Sequence, residues 1–114
     1  MKNSRVNKIL EGMAKEGLSQ MIITSPASIF YLTGKWIYPG ERMIALYINQ
    51  NGDHKLVINK LFPVYEDLGV EMIWYEDTEN PIDYLNRCIN KNEILGIDKD
   101  WPARFLIQLI NSNA

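Results

Sequence analysis

The chain has 114 residues, 46% of them hydrophobic and 23% charged, the make-up of one ordinary globular domain with a modest core. A net charge of −2 leaves no electrostatic footprint for nucleic acid or an anionic membrane, and no apolar run approaches the roughly 20 residues that span a bilayer. One cysteine, Cys88, excludes an internal disulfide, and Met1-Lys2-Asn3-Ser4-Arg5 carries no apolar signal region, so a reducing, cytoplasmic setting is expected.

Val6, Ile9, Leu10 and Met13 recur at helical spacing, which predicts a helix over about residues 4–16. Ser4 is its expected N-cap and Gly17 its stop, with Leu18 packing beyond. Met21-Ile22-Ile23 is too short for a helix and reads as a buried strand. Ser25-Pro26 then supplies a capping hydroxyl and a proline pre-set for the first helical position. The helix it starts is brief, because Gly34 follows Leu32-Thr33 as a natural stop.

Lys35 to Arg42 is a loop with two large aromatics and opposite charges. Met43 to Ile48 and His54 to Ile58 read as strands around the turn cluster Asn49-Gln50-Asn51-Gly52-Asp53, hence an antiparallel hairpin. Leu61 to Leu68 is expected as a short helix tolerating Pro63 in its first turn and ended by Gly69. Val70 to Tyr75 gives a fourth strand. Asn80-Pro81 repeats the cap-then-proline device, with Asp83 in the first turn and Ile82, Leu85 and Ile89 as the buried stripe. Ile94 to Ile97 is a fifth strand, and Asp100 is the expected cap of a last helix with Ala103, Leu106, Ile107 and Ile110 inward. That helix stops at Asn111-Ser112-Asn113-Ala114 without a cap of the usual kind, and is read as a cut edge. The alternation predicts an α/β fold: one three-layer domain over residues 1–114, a mixed sheet of five to six strands, helices on both faces.

Catalytic chemistry is hard to find. One histidine and one cysteine cannot form a zinc-ligand cluster. The acidic runs Glu76-Asp77-Thr78-Glu79 and Asp98-Lys99-Asp100 suit hard cations in principle, but read better as solvated loop charges and helix caps. A serine-hydrolase arrangement would need Ser25 or Ser28 with His54, yet no Gly-x-Ser-x-Gly elbow surrounds either serine, and His54 reads as a surface side chain. No phosphate-binding glycine motif is present, and Cys88 lies near an apolar helix face as an inert thiol. No catalytic or metal-binding residue is therefore assigned. Trp36, Tyr38, Glu41 and Arg42 remain. They either pack locally over the sheet edge or, being the residue types enriched at interface centres, meet a partner.

Taken in order, ITSPASIFYLTG, the PGER before a strand and EDTENPIDYL resemble the N-terminal domain of creatinase/prolidase-type metallopeptidases, most closely Xaa-Pro dipeptidases and aminopeptidases. The resemblance runs from about Ile9 to about Leu109. It implies the non-catalytic half of a hydrolase whose two divalent metal ions sit in a catalytic domain absent from this chain. The implied partners are that C-terminal catalytic domain, a second copy in a homodimer, and short proline-containing peptides as substrate. In the family the loop crosses to the other subunit and closes over the active-site mouth. Pro39, Glu41 and Arg42 match a Pro-His-Glu-Arg pattern, with Gly40 in place of the histidine. The resemblance leaves any polar contact with substrate to Arg42 or Glu41, with Arg42 preferred because a guanidinium can grip a peptide carboxylate through two bonds. It makes Trp36 and Tyr38 an apolar wall for a proline ring. A stand-alone binding or oligomerisation module, or the N-terminal domain of a creatinase-like hydrolase, stays open, because a shared domain does not fix the reaction.

Overall fold

The two cap-then-proline pairs act as their chemistry dictates. In the computed structural model, which describes residues 1–113, Ser25 Oγ accepts the Ser28 N–H at 3.4 Å, and Asn80 Oδ1 accepts the Ile82 N–H at 3.1 Å. Each proline opens its helix, where its missing N–H costs nothing. The elements follow as α1 (Asn3–Lys15), β1 (Gln20–Ile23), α2 (Pro26–Thr33), β2 (Ala45–Asn49), β3 (Lys55–Asn59), β4 (Glu71–Tyr75), α3 (Pro81–Cys88), β5 (Leu95–Ile97) and α4 (Ala103–Ser112).

The five strands form one mixed sheet in the order β4-β3-β2-β1-β5. β2 runs antiparallel to both β1 and β3, while β5 lies parallel to β1 and β4 parallel to β3. Four strands thus point one way, and their carboxyl ends share one end of the sheet with the amino end of β2. Side chains alternate between two cores. Leu46, Ile48, Leu56 and Ile58 face α1 and α2, burying Val6, Met13, Ile29 and Leu32. Ala45, Tyr47 and Val57 face the other layer, with Ile82 and Leu85 from α3 and Leu109 from α4. Burial on both faces is why the hairpin strands read as continuous apolar runs.

Several expectations shift in detail. Ser4 does not cap α1; the helix starts at Asn3, with the Lys2 carbonyl taking the Arg5 and Val6 N–H groups. Gly17 does end it, at φ +71°, where the Leu18 N–H returns to the Met13 carbonyl at 2.8 Å. Residues 61–68 form no helix. Phe62 precedes Pro63 and is pushed out of the helical region, so Phe62 and Val64 are buried two apart while Tyr65 faces solvent.

Asp100 likewise caps nothing: Pro102 stands at the N-cap position of α4. Trp101 is buried just ahead of the helix, which rotates the inward face onto Phe105, Leu106 and Leu109 and leaves Ala103, Ile107 and Ile110 outside. Ala114, the last residue of the expected stop, lies outside the described residues. His54 is half-buried rather than on the surface, its Nδ1 accepting the Asn49 N–H at 3.2 Å across the hairpin turn.

At the amino end of β1 the chain buries a full carboxamide. Gln20 has no exposed surface. Its Nε2 donates to the carbonyls of Asn90 (2.8 Å) and Glu93 (3.1 Å), and its Oε1 accepts the Tyr47 hydroxyl (2.8 Å) and the Asn90 N–H (2.9 Å). Every hydrogen-bonding position of the amide is used, and the loop that delivers β5 to the sheet edge hangs on it.

Two expected outcomes follow from these contacts. Gln20→Met keeps the volume but removes the acceptor of the buried Tyr47 hydroxyl proton, and the hydroxyl keeps only its bond from Asn49. It also frees the part-buried backbone groups of Asn90 and Glu93. The cost is about 1–3 kcal/mol for the group left unsatisfied and less for those water can reach. Urea unfolding should show a loss of about 3 kcal/mol, with the β5 amides first to lose hydrogen-exchange protection; a loss below about 1 kcal/mol would mean other contacts hold that loop. Burial lowers the His54 pKa from 6.5, against a small opposing pull from Asp53. The neutral ring is the form that accepts Asn49. The stability it contributes is therefore complete above the unfolded value and is lost as pH falls through the lower folded one. Melting temperature should fall between pH 7 and 5 in the native protein and fall less in His54→Asn, whose Oδ1 accepts at any pH; equal slopes would dismiss this role.

Candidate functional site

The loop between α2 and β2 is pinned at both ends and free at its crest. At its start, Thr33 Oγ1 accepts the Lys35 N–H at 3.2 Å, and Lys35 Nζ pairs with Glu66 at 3.2 Å. Ile37 turns inward and is 3% exposed, anchoring the middle of the loop in the core. Its neighbours turn outward. Trp36 is 53% exposed and meets Phe30 edge-to-face at 5.9 Å, and Tyr38 is 82% exposed. The chain then reverses: the Arg42 N–H bonds the Pro39 carbonyl at 3.1 Å, with Gly40 at φ +59°. That backbone region is open to glycine and costly for a larger residue.

From Glu41 onward the loop is tied by three contacts, to α4, to β4 and to the turn that follows β4. The Arg104 guanidinium, from α4, donates to the Glu41 carbonyl. Arg42 makes a two-pronged bond to Asp77, just after β4: Nε to Oδ1 at 2.9 Å and Nη2 to Oδ2 at 2.7 Å. The Tyr75 hydroxyl donates to the Met43 carbonyl at 2.6 Å. Asp77 takes a further bond from Asn59 Nδ2 at 2.8 Å. The Arg42 bonds first, then Asn59, hold the Asp77 carboxyl down at about 2, and the same pairing raises the Arg42 guanidinium. An open cleft of about 220 Å³ lies beside this turn, lined in part by Thr24, Pro26, Pro39, Arg42, Asp100 and Phe105.

Of the four residues singled out by sequence, Trp36 and Tyr38 present free apolar faces. Glu41 is exposed and contributes its backbone carbonyl to the anchor. The guanidinium fork of Arg42 is already filled by a carboxylate of its own chain. Asp77, read from the sequence as one solvated loop charge among several, is the residue missed; it lies 35 positions from Arg42, and no local pattern links them.

The other candidates separate. Ser25 caps α2 beyond the carboxyl end of β1, whereas His54 bonds Asn49, which pairs with Gln20 at the opposite end of that strand. Asp98 spends its carboxylate on the N–H groups of Thr24 (2.9 Å) and Ser25 (2.8 Å). Glu79 accepts from the Tyr84 hydroxyl and the Glu76 N–H. Cys88 is half-buried, and burial pushes its thiol up, away from the reactive thiolate. Among the described residues no group of three or more His, Cys, Asp or Glu side chains is placed to hold a metal ion, and no helix is long and apolar enough to cross a membrane.

The chain is similar to an uncharacterized peptidase of Staphylococcus haemolyticus, 36% identical over 92 residues that make up 77% of this chain and 26% of that protein. An uncharacterized peptidase of Staphylococcus aureus is 30% identical over 93 residues, with the same shares of each chain. The chain thus spans about a quarter of the length of these curated relatives. In fold it is similar to the creatinase/prolidase N-terminal domain of an X-Pro dipeptidase from Streptococcus pyogenes, with a TM-score of 0.79 at 20% identity over 96% of this chain and 88% of that one. A prolidase from Thermococcus sibiricus gives a TM-score of 0.82 at 22% identity, over 97% of this chain and 32% of that one. The family model described as the creatinase/prolidase N-terminal domain matches residues 5–113, and the chain belongs to that family.

Proposed function

We propose that this chain is the non-catalytic N-terminal domain of an Xaa-Pro dipeptidase-type metallopeptidase, and that it serves the intact enzyme by helping it dimerise and by gating its active site. The observation that carries the reading is the loop from Trp36 to Arg42, whose charged base is fastened while two aromatic side chains stand free at its crest. Family membership and the dipeptidase domains among its structural relatives support it. Peptide hydrolysis in this reading belongs to a catalytic domain carrying two divalent metal ions, which turn water into a nucleophile at neutral pH. The described residues of this chain offer no ligand set for those ions, so no chemical step is assigned to it.

The contribution of the loop is steric and apolar. A half-exposed indole and a nearly free phenol present flat faces suited to a proline ring, at low conformational cost because aromatic side chains have few rotatable bonds. A loop already ordered by Ile37, Arg42 and Met43 loses little further entropy on closing over a short peptide, and a fixed crest favours substrates small enough to fit beneath it. The partners of this reading are a second copy of the chain, its own catalytic domain and short proline-containing peptides, in the cytoplasm.

In the intact peptidase, Trp36→Ala and Tyr38→Ala should each lower kcat/KM for an Xaa-Pro dipeptide about tenfold, roughly 1.4 kcal/mol of transition-state binding. Arg42→Ala should lower it as well, by loosening the crest. The melting temperature should move little, since these side chains are solvent-facing. An unaltered kcat/KM in all three would remove the gating role.

A further inference from the structure

We infer that Asp77 is the positioning residue of the aromatic loop: it holds Arg42, and through Arg42 it fixes where Tyr38 stands beyond the Ile37 anchor. The inference rests on the gating reading for its functional meaning and on geometry alone for its physical content.

The path of restraint starts in the core. Asn59 closes β3 with no exposed surface, its Oδ1 accepting the Leu61 N–H at 2.8 Å and its Nδ2 donating to Asp77 Oδ1 at 2.8 Å. That bond orients a carboxylate which otherwise stands at the surface. The carboxylate in turn takes the guanidinium of Arg42 through two parallel bonds, which fix the plane of the fork and not merely its distance. Both members of the pair are about half exposed, with side-chain exposures of 43% and 50%. Such a pair adds little to global stability, so its consequence lies in geometry.

The neighbouring bonds make the restraint specific. Glu41, Arg42 and Met43 are held in turn by α4, by Asp77 and by Tyr75 of β4. Upstream the next fixed point is Ile37, buried in the core on the α1 and α2 side of the sheet. Tyr38, Pro39 and Gly40 bridge these two anchors, and Gly40 has the conformational freedom to let the crest swing if either fails. Of the three downstream bonds, the Asp77 fork is the one made by a side chain of the loop itself.

The test is backbone 15N relaxation on the 114-residue chain. In the native protein the amides of Tyr38 and Gly40 to Arg42 should show order parameters near about 0.85, and in Asp77→Asn they should fall below about 0.6 while those of Met43 and of β1 to β4 stay unchanged. The charge swap, Arg42→Asp with Asp77→Arg, should recover most of that loss, which a mere loss of surface charge would not do. Unchanged order in Asp77→Asn, or no recovery in the swap while the sheet stays intact, would overturn the inference. Kinetics of Asp77→Asn in the intact peptidase separate the two readings. A loosened loop with unaltered kcat/KM leaves Asp77 as the anchor and removes the gate; a loosened loop with a raised KM and a kcat within about twofold supports both.

Discussion

One buried carboxamide decides how the sheet is closed at its β5 edge. β5 is three residues long and touches the sheet only along β1, too short a ladder to be held by its own hydrogen bonds. Gln20 makes up the difference by gripping the preceding loop at Asn90 and Glu93 from within β1. At the far end of the same short strand, Asp98 accepts the Thr24 and Ser25 N–H groups. β5 is thus clamped to β1 by a polar side chain at each end. A buried amide is costly unless every position is satisfied, and this one is, which makes it a device for specifying one arrangement and not only a source of stability.

The parts of this fold that the sequence announced were those decided by neighbouring residues. Ser25-Pro26 and Asn80-Pro81 start helices because cap and proline act within one turn. The hairpin follows from an Asn-Gly turn between two apolar runs. The failures share the opposite property. Residues 61–68 end in a glycine stop and carry their proline early, as a short helix would, but Pro63 and the burial of Phe62 and Val64 go with an irregular path. The last helix was faced wrongly because Trp101, ahead of the helix, decides its rotation. Gln20 carries no local signal, because its partners lie 70 and 73 residues away.

The site divides along the same line. The aromatic loop was visible as a local cluster of Trp36, Tyr38, Glu41 and Arg42 between two rigid elements. What those residues touch was not visible. An arginine in a loop is a natural candidate for an incoming carboxylate, and the structure shows that geometry already filled by Asp77. The chemistry that the resemblance offers Arg42, two-pronged carboxylate recognition, is here made with a carboxylate of its own chain.

Strand direction explains why these features fall where they do. β1, β3, β4 and β5 run in one direction, so their carboxyl ends bring Ser25, Asn59, Tyr75, Asp77 and Asp98 to a single end of the sheet, beside the loop that enters β2. In open α/β sheets this is the end where connecting segments diverge and ligands are met. The opposite end carries Gln20, Asn49, His54 and Asn90, a set joined to one another and to the hairpin turn. Polar groups at that end fasten strands to each other. Those at the carboxyl end fasten a loop whose outer face is left free. A substitution at Gln20 acts on whether the sheet closes, whereas one at Asp77 acts on where the loop crest carrying Tyr38 stands above a sheet that stays folded. The separation lets the loop be tuned without loss of the fold, because the Arg42–Asp77 pair that aims it is about half exposed while Gln20, which helps close the sheet, is fully buried.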